Sequence, residues 1–164
     1  SAGMVGHVAL ADPVCLATAG VLSLAAHKAN AVVHDGGTYI CIEGPQFSTR
    51  AESNVYRQWG VDVIGMTNVT EAKLAREAGI CYATLALITD YDCWKEEEEP
   101  VTVEAVLEIM HRNVEMAQKV LKEFASEFKG RRSCTCGSAA QNAVVTGYKN
   151  IPAQLRDELS ILFG

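Results

Sequence analysis

The chain has no uncharged apolar run approaching the ~20 residues that a membrane-spanning helix needs, so no such helix is expected. It also lacks a basic excess: 14 Lys and Arg stand against 20 Asp and Glu, a net charge of −6. Nucleic-acid affinity comes mainly from cations set on phosphates, so neither a nucleic-acid nor a membrane partner is expected. There is no internal repeat and no low-complexity linker. The first residues, SAGMVGHVALADPVC, offer neither the basic start nor the clean apolar centre of a signal peptide. Disulfide scaffolds carry ~8–10% cysteine, and six cysteines in 164 residues fall well short of that.

What is present fits an ordinary globular protein. The residues are 49% hydrophobic and 21% charged, which excludes a disordered tail, a collagen-like repeat and a coiled coil. The length suits one compact domain or a large part of a bigger one. Three cysteines lie in apolar stretches (YICIE, AGICYA, DPVCLA), where a free thiol behaves as a small hydrophobe. A reducing, cytoplasmic setting is therefore expected. The segment around His7 comes with no preceding strand or helix to hold it, so the chain is expected to be a fragment or a processed piece.

The element pattern alternates. Asp12-Pro13 reads as a helix start for a helix carrying Val14, Leu16, Val21, Leu22 and Leu24 and stopping near Asn30. AVVHDGGTYICIEG gives two β-rich runs about Asp35-Gly36-Gly37, a hairpin signal. TRAESNVYRQWG predicts a helix with Val55, Tyr56 and Trp59 on one face and Gly60 as its stop. VDVIGM reads as a buried strand, and Asn68-Val69-Thr70-Glu71 has capping-box spacing for a helix through Ala78-Gly79. ICYATLALITD reads as a second apolar strand, too continuous for one wet face, which favours a central parallel sheet. Pro100 and Thr102 introduce a long helix to about Phe128, with Val103, Val106, Leu107, Met110, Val114 and Leu121 at three- and four-residue spacing. IPAQLRDELSILFG closes the chain as a helix with proline at its start. Strand and helix in alternation make the fold class α/β.

Ligands of open parallel α/β sheets gather beyond the carboxyl ends of the strands. One candidate is Gly65-Met66-Thr67-Asn68, and another is Thr89-Asp90-Tyr91-Asp92-Cys93-Trp94. A third is EGPQFSTRAES, where Ser48 and Thr49 precede a helix whose free N–H groups suit an anion. Each has a plainer reading: Met66 as core filling, Ser48 and Thr49 as N-caps. Asp90 and Asp92 follow an apolar strand beside Trp94, with only Lys95 as a near cation. A carboxylate pair of this kind often has one member that keeps its proton, as a general acid must. The glutamates at 96–99 read as solvated surface. His27, His34 and His111 lack ligand spacing, and Cys134-Thr135-Cys136 is not a zinc spacing. That last pair is either a disulfide or two thiols.

IEGPQFSTRAES, WGVDVIGMTNVTEAKLAREAGICYATLALITDYDCW and the helix that follows resemble the purine nucleoside phosphorylase family, in its branch acting on 5′-methylthioadenosine. The resemblance runs from about Gly6 to about Phe128, and CTCGSAAQNAV resembles the Cys-X-Cys tail of some microbial and archaeal members. It implies a three-layer fold with a central mixed β-sheet flanked by helices. It also implies phosphorolysis of 5′-methylthioadenosine to adenine and 5-methylthioribose 1-phosphate, with inorganic phosphate as co-substrate and no metal or other cofactor. On this reading Phe47 lies against the purine, Ser48 and Thr67 meet the phosphate, and Met66 and Thr67 flank the ribose. Asp90 meets N7 and the 6-amino edge of adenine, with Asp92 close by. Val103, Val106 and Leu107 line the methylthio pocket, and His7 reaches a neighbouring subunit's site in a homotrimer. Residues 1–164 would be the C-terminal portion of a single phosphorylase domain. The N-terminal portion, with the glycine-rich first turn and the Arg-His pair that bind most of the phosphate, has no counterpart here. Activity is expected only with that portion present. A phosphorylase for methylthioinosine or for ordinary purine nucleosides, and a non-catalytic nucleoside-binding subunit, remain alternatives.

Overall fold

The computed structural model describes residues 3–95, 102–141 and 143–163, apart from the side chains of Val103 and Phe163. The glutamates at 96–99 and Pro100 lie outside the described residues. The elements run α1 (Leu16–Lys28), β1 (Tyr39–Cys41), α2 (Arg50–Gln58), β2 (Val63–Gly65), α3 (Asn68–Glu77) and α4 (Val103–Glu127). Two 3₁₀ turns follow, Cys136–Ser138 and Tyr148–Asn150, then α5 (Ala153–Glu158) and α6 (Ser160–Phe163). None of these helices is long and apolar enough to cross a membrane. The chain divides into two units: the residues up to Ala19, Val69–Thr84 and those from Arg131 form the first, Gly20–Asn68 and Leu85–Gly130 the second.

The second unit is built on a β–α–β crossover, which gives the expected α/β class. β1 and β2 pair in parallel with register Tyr39↔Val63, Ile40↔Ile64 and Cys41↔Gly65, and α2 supplies the connection that a parallel pair requires. The hairpin about Asp35-Gly36-Gly37 does not form. Gly36 and Gly37 take positive φ (81° and 121°), but they shape a loop in which the Asp62 carboxylate accepts the Thr38 N–H at 2.7 Å. A β-carbon at Gly37 would sit 2.9 Å from Asp62 Oδ2. The carboxylate just before β2 thus takes the place of a hairpin partner strand, and only the second β-rich run becomes a strand.

Helix stops were legible from single residues. Asn30 (φ 58°), Gly60 (φ 73°) and Gly79 (φ 65°) occupy the left-handed position after α1, α2 and α3. Each makes a paired C-terminal closure: Ala31 N–H to Ala26 O, Val61 N–H to Tyr56 O and Ile80 N–H to Ala75 O, at 3.0, 3.1 and 2.8 Å. The start of α1 was not legible. Cys15 N–H donates to Tyr82 O at 2.7 Å and the Asp12 carbonyl accepts from Arg76, so the helix begins at Leu16 rather than behind Asp12-Pro13.

The apolar stripe of α4 divides. Met116, Val120 and Phe124, at four-residue spacing, pack with Leu22, Ala25 and Ala26 into the buried cluster of this unit. Leu107, Met110, Val114 and Leu121 of the expected core stripe stay about half exposed. The expected second strand, residues 80–90, makes no ladder among the described residues, and Ile80, Leu87 and Ile88 are exposed. Its backbone finds other partners, such as Ile88 O, which accepts from Asn113 Nδ2 at 2.8 Å. The closing helix is broken at Leu159 into α5 and α6.

The first unit gathers distant segments. Gly6 bridges Val144 in antiparallel fashion, His7 N–H donates to Ala143 O at 2.8 Å, and Arg132 Nη1 donates to Gly79 O at 3.0 Å. These bonds, with Cys15 N–H to Tyr82 O, bring Cys15, Cys81, Cys134 and Cys136 together. Their four sulfurs lie within 4.8 Å of one another.

Candidate active site

Because β1 and β2 are parallel, their carboxyl ends open on the same side. β1 leads into Glu43 and a cis Gly44-Pro45 turn, and β2 into Met66 and Thr67. The two ends meet: Ile42 N–H donates to Gly65 O at 2.8 Å, and a β-carbon at Gly44 would lie 2.6 Å from Met66 Sδ. Gly44 has φ 68°, so glycine meets a backbone and a packing demand at once. Met66 is half-buried there.

Thr49 is the N-cap of α2, as the plainer reading expected. Its hydroxyl accepts the Glu52 N–H at 3.3 Å, while Glu52 Oε2 accepts the Thr49 N–H at 2.7 Å. The bonds from the Thr49 N–H and hydroxyl hold the Glu52 carboxyl below the usual carboxylate range. Ser48 does something else. Its Oγ is buried and, among the described residues, has no hydrogen-bond partner. A buried hydroxyl left open is costly, and it is suited to an incoming acceptor such as a phosphate oxygen.

The acidic loop is tied to this turn. Arg50 Nη1 donates to Cys93 O at 2.6 Å, and Cys93 Sγ lies 3.6 Å from Ser48 O. Within the loop, Thr89 Oγ1 donates to Asp90 Oδ1 at 2.8 Å and Cys93 N–H to Asp92 Oδ1 at 2.8 Å. The nearby cations lie on rings: Lys95 Nζ is 3.6 Å over Tyr91 and the Arg57 guanidinium 3.6 Å over Trp94. Tyr91 and Trp94 meet edge-on at 5.9 Å. Among the described residues, neither Asp90 nor Asp92 forms an ion pair.

The candidates are not all joined. Ser48, Met66 and Asp92 belong to segments that touch through Gly44 and Cys93. Phe47 is 86% exposed; Thr67 and Asp90 are exposed, Val106 is half-buried and Leu107 is exposed. No hydrogen bond or ring contact among the described residues joins these five to one another. The side chain of Val103 lies outside the described residues. His7 is exposed in the first unit, on the segment bridged to Val144.

Sequence reasoning missed two features. Arg50 and Cys93 pin the acidic loop, a contact between residues 43 apart that no local pattern announces. The four-cysteine cluster likewise has no linear signature. Burial raises the Cys15 thiol, yet hydrogen bonds from Thr18, Cys134 and Cys136 outweigh it and leave the thiol at about 6. Burial and its thiol neighbours push Cys136 up to about 12 and raise Cys81 as well.

Residues 4–126 match the Phosphorylase superfamily. The chain is 51% identical over 162 residues to an S-methyl-5′-thioadenosine phosphorylase of Geobacter sulfurreducens, covering 99% of this chain and 57% of that protein. A crystal structure of methylthioadenosine phosphorylase from an antarctic soil metagenomic library superposes with a TM-score of 0.90 at 42% identity, over 100% of this chain and 58% of that one. The methylthioadenosine phosphorylase of Schistosoma mansoni in complex with adenine gives a TM-score of 0.76 at 33% identity, over 87% of this chain and 57% of that one. The chain thus spans little more than half the length of the relatives it matches. By the matched residues, which take in the β1–α2–β2 crossover and both loops at its open end, the chain belongs to the phosphorylase superfamily.

Proposed function

We propose that this chain is the C-terminal portion of a phosphorylase that converts 5′-methylthioadenosine and inorganic phosphate to adenine and 5-methylthioribose 1-phosphate. The observation that carries the proposal is the junction at Ser48. There an open, buried hydroxyl sits on a turn that Arg50 and Cys93 tie to the loop of Asp90 and Asp92, and the Met66 sulfur packs on Gly44 of the same turn. It is supported by the half-identical relative named for this substrate.

In the proposed reaction a phosphate oxygen bonds to C1′ as the C1′–N9 bond breaks. The bond's electron pair goes to the purine, and a proton must reach the base. Ser48 and Thr67 hold phosphate, Met66 and Thr67 the ribose, and Phe47 the purine face. Asp90 donates toward N7 with Asp92 beside it; general acids of this kind supply ~10²–10⁴-fold. Val103, Val106 and Leu107 receive the methylthio group, a role suited to apolar side chains such as the exposed Leu107. His7 serves a neighbouring subunit of a homotrimer. No cofactor is needed beyond phosphate as co-substrate, because phosphate attacks directly. The N-terminal portion supplies the remaining phosphate ligands and the cover for the exposed apolar run at 80–90.

The test is Asp90→Asn in the enzyme assembled with its N-terminal portion. Turnover of adenine nucleosides is expected to fall about 10²–10⁴-fold, with a smaller loss on hypoxanthine nucleosides, because a site built around one polar contact discriminates by up to ~10⁴-fold. Equal activity of variant and parent on 5′-methylthioadenosine would remove Asp90 from the reaction.

A further inference from the structure

Four cysteines from three distant segments meet in the first unit. Cys15 precedes α1, Cys81 follows α3, and Cys134 and Cys136 flank Thr135 at the first 3₁₀ turn. Cys15 and Cys136 are buried, Cys81 and Cys134 half-buried, and all are free. Every pair of sulfurs is within 4.8 Å, and Cys81 Sγ is 3.3 Å from Cys134 Sγ. A tetrahedral ion with Zn–S bonds of ~2.3 Å places its four sulfurs about 3.8 Å apart. The observed cluster therefore brackets that spacing. A cluster of several irons would hold the sulfurs farther apart than one ion does.

The surroundings suit thiolates. Thr18 Oγ1 lies 3.4 Å from Cys15 Sγ and Arg76 Nη1 lies 3.9 Å from Cys136 Sγ, both as donors. The Arg76 guanidinium is anchored on the Asp12 carbonyl. Arg132 donates to Gly79 O and lies against Gly137, so a second cation borders the turn that carries Cys136. Outer donors of this kind orient sulfur ligands and offset their charge. A cleft lined by Ala9, Asp12, Cys15, Arg76, Cys134 and Cys136 gives an ion a way in.

We infer that Cys15, Cys81, Cys134 and Cys136 form a structural tetrathiolate site for a single zinc-type ion. Binding replaces four S–H bonds with four metal–sulfur bonds and releases the protons to solvent, with no change of oxidation state. Because its ligands come from Cys15, Cys81 and the 134–136 turn, the ion ties together the three segments of this unit. The closed ligand set leaves no position for a reacting group. The inference does not rest on the proposed reaction.

The test is the full chain, purified with reductant and without added chelator. About one zinc per chain is expected by elemental analysis. Cobalt(II) titrated into protein stripped of metal should give the sulfur-to-cobalt absorption and tetrahedral d–d bands of a thiolate site. Cys81→Ser and Cys136→Ser should each abolish those bands, while Cys41→Ser and Cys93→Ser should leave them. The cobalt titration of the parent protein stands even if a variant fails to fold. Absence of thiolate-type cobalt absorption in the parent would overturn the inference. So would a Cys81–Cys134 disulfide found by mass spectrometry in protein kept reduced, or bands unchanged in Cys81→Ser.

Discussion

The two units of this chain were assembled by different rules. In the second, the two ends of α2 are set by short-range chemistry, since Thr49 caps it and Gly60 stops it, while Gly44 lets Met66 close on the turn after β1 from the far end of the crossover. In the first, the features that matter come from afar. Cys15, Cys81 and Cys134 meet because Cys15 N–H reaches Tyr82 O and Arg132 reaches Gly79 O. Local rules can therefore be read and altered one residue at a time, whereas long-range gathering fails as a unit.

Two glycines expose that contrast. Gly79, buried at φ 65°, has the Gly137 carbonyl oxygen 3.2 Å from where a β-carbon would stand. Gly79→Ala is expected to cost about 2–3 kcal/mol, from left-handed strain and a backbone neighbour that yields little. Chemical or thermal unfolding measures it; a loss below that of Gly44→Ala would break the distinction drawn between the units. Gly44→Ala meets the flexible end of Met66 instead, so its stability cost should be about 1–2 kcal/mol. Its sharper mark should be a raised KM for nucleoside in the assembled enzyme, as Met66 is pushed from its seat. Unchanged KM would detach Met66 from the ribose.

Smaller still is the cap. Thr49→Ala should cost about 1 kcal/mol, seen in the same unfolding experiment. The Glu52 carboxyl is held below its ordinary value by Thr49. A lowered folded pKa gives stability that is present above the unfolded value of 4.5 and fades as pH falls through the folded one. Glu52→Gln should accordingly narrow the difference in melting temperature between neutral and acid solution. A variant with the parent's full acid sensitivity would show that Glu52 contributes nothing there.

Legibility followed the range of each contact rather than the unit that holds it. The extent of α2, the stops at Asn30, Gly60 and Gly79, and the reach of α4 from Thr102 to Phe128 were all visible, because each depends on residues within one turn. The hairpin signal at Asp35-Gly36-Gly37 is overridden because Asp62, 25 residues beyond Gly37, captures Thr38. The start of α1 shifts from the Asp12-Pro13 signal for a like reason, with Tyr82 and Arg76 holding Cys15 and Asp12. The run at 80–90 has the apolar content of a strand, but a strand exists only where another pairs with it. At the candidate site, Ser48 and Thr49 looked equivalent in sequence; the capping geometry separates them, leaving one hydroxyl engaged and the other open. Of the thiol cluster only the Cys134-Thr135-Cys136 pair stood out in sequence; its meeting with Cys15 and Cys81 did not, since the four are spread over more than a hundred residues.

The central claim is that the junction at Ser48 and the acidic loop serve phosphorolysis of a methylthio-nucleoside. The most direct measurement is adenine release from 5′-methylthioadenosine by this chain assembled with its N-terminal portion, with and without inorganic phosphate. The account predicts release that requires phosphate, with 5-methylthioribose 1-phosphate formed in equal amount. Binding of the nucleoside without turnover, or release that proceeds equally without phosphate, would contradict it.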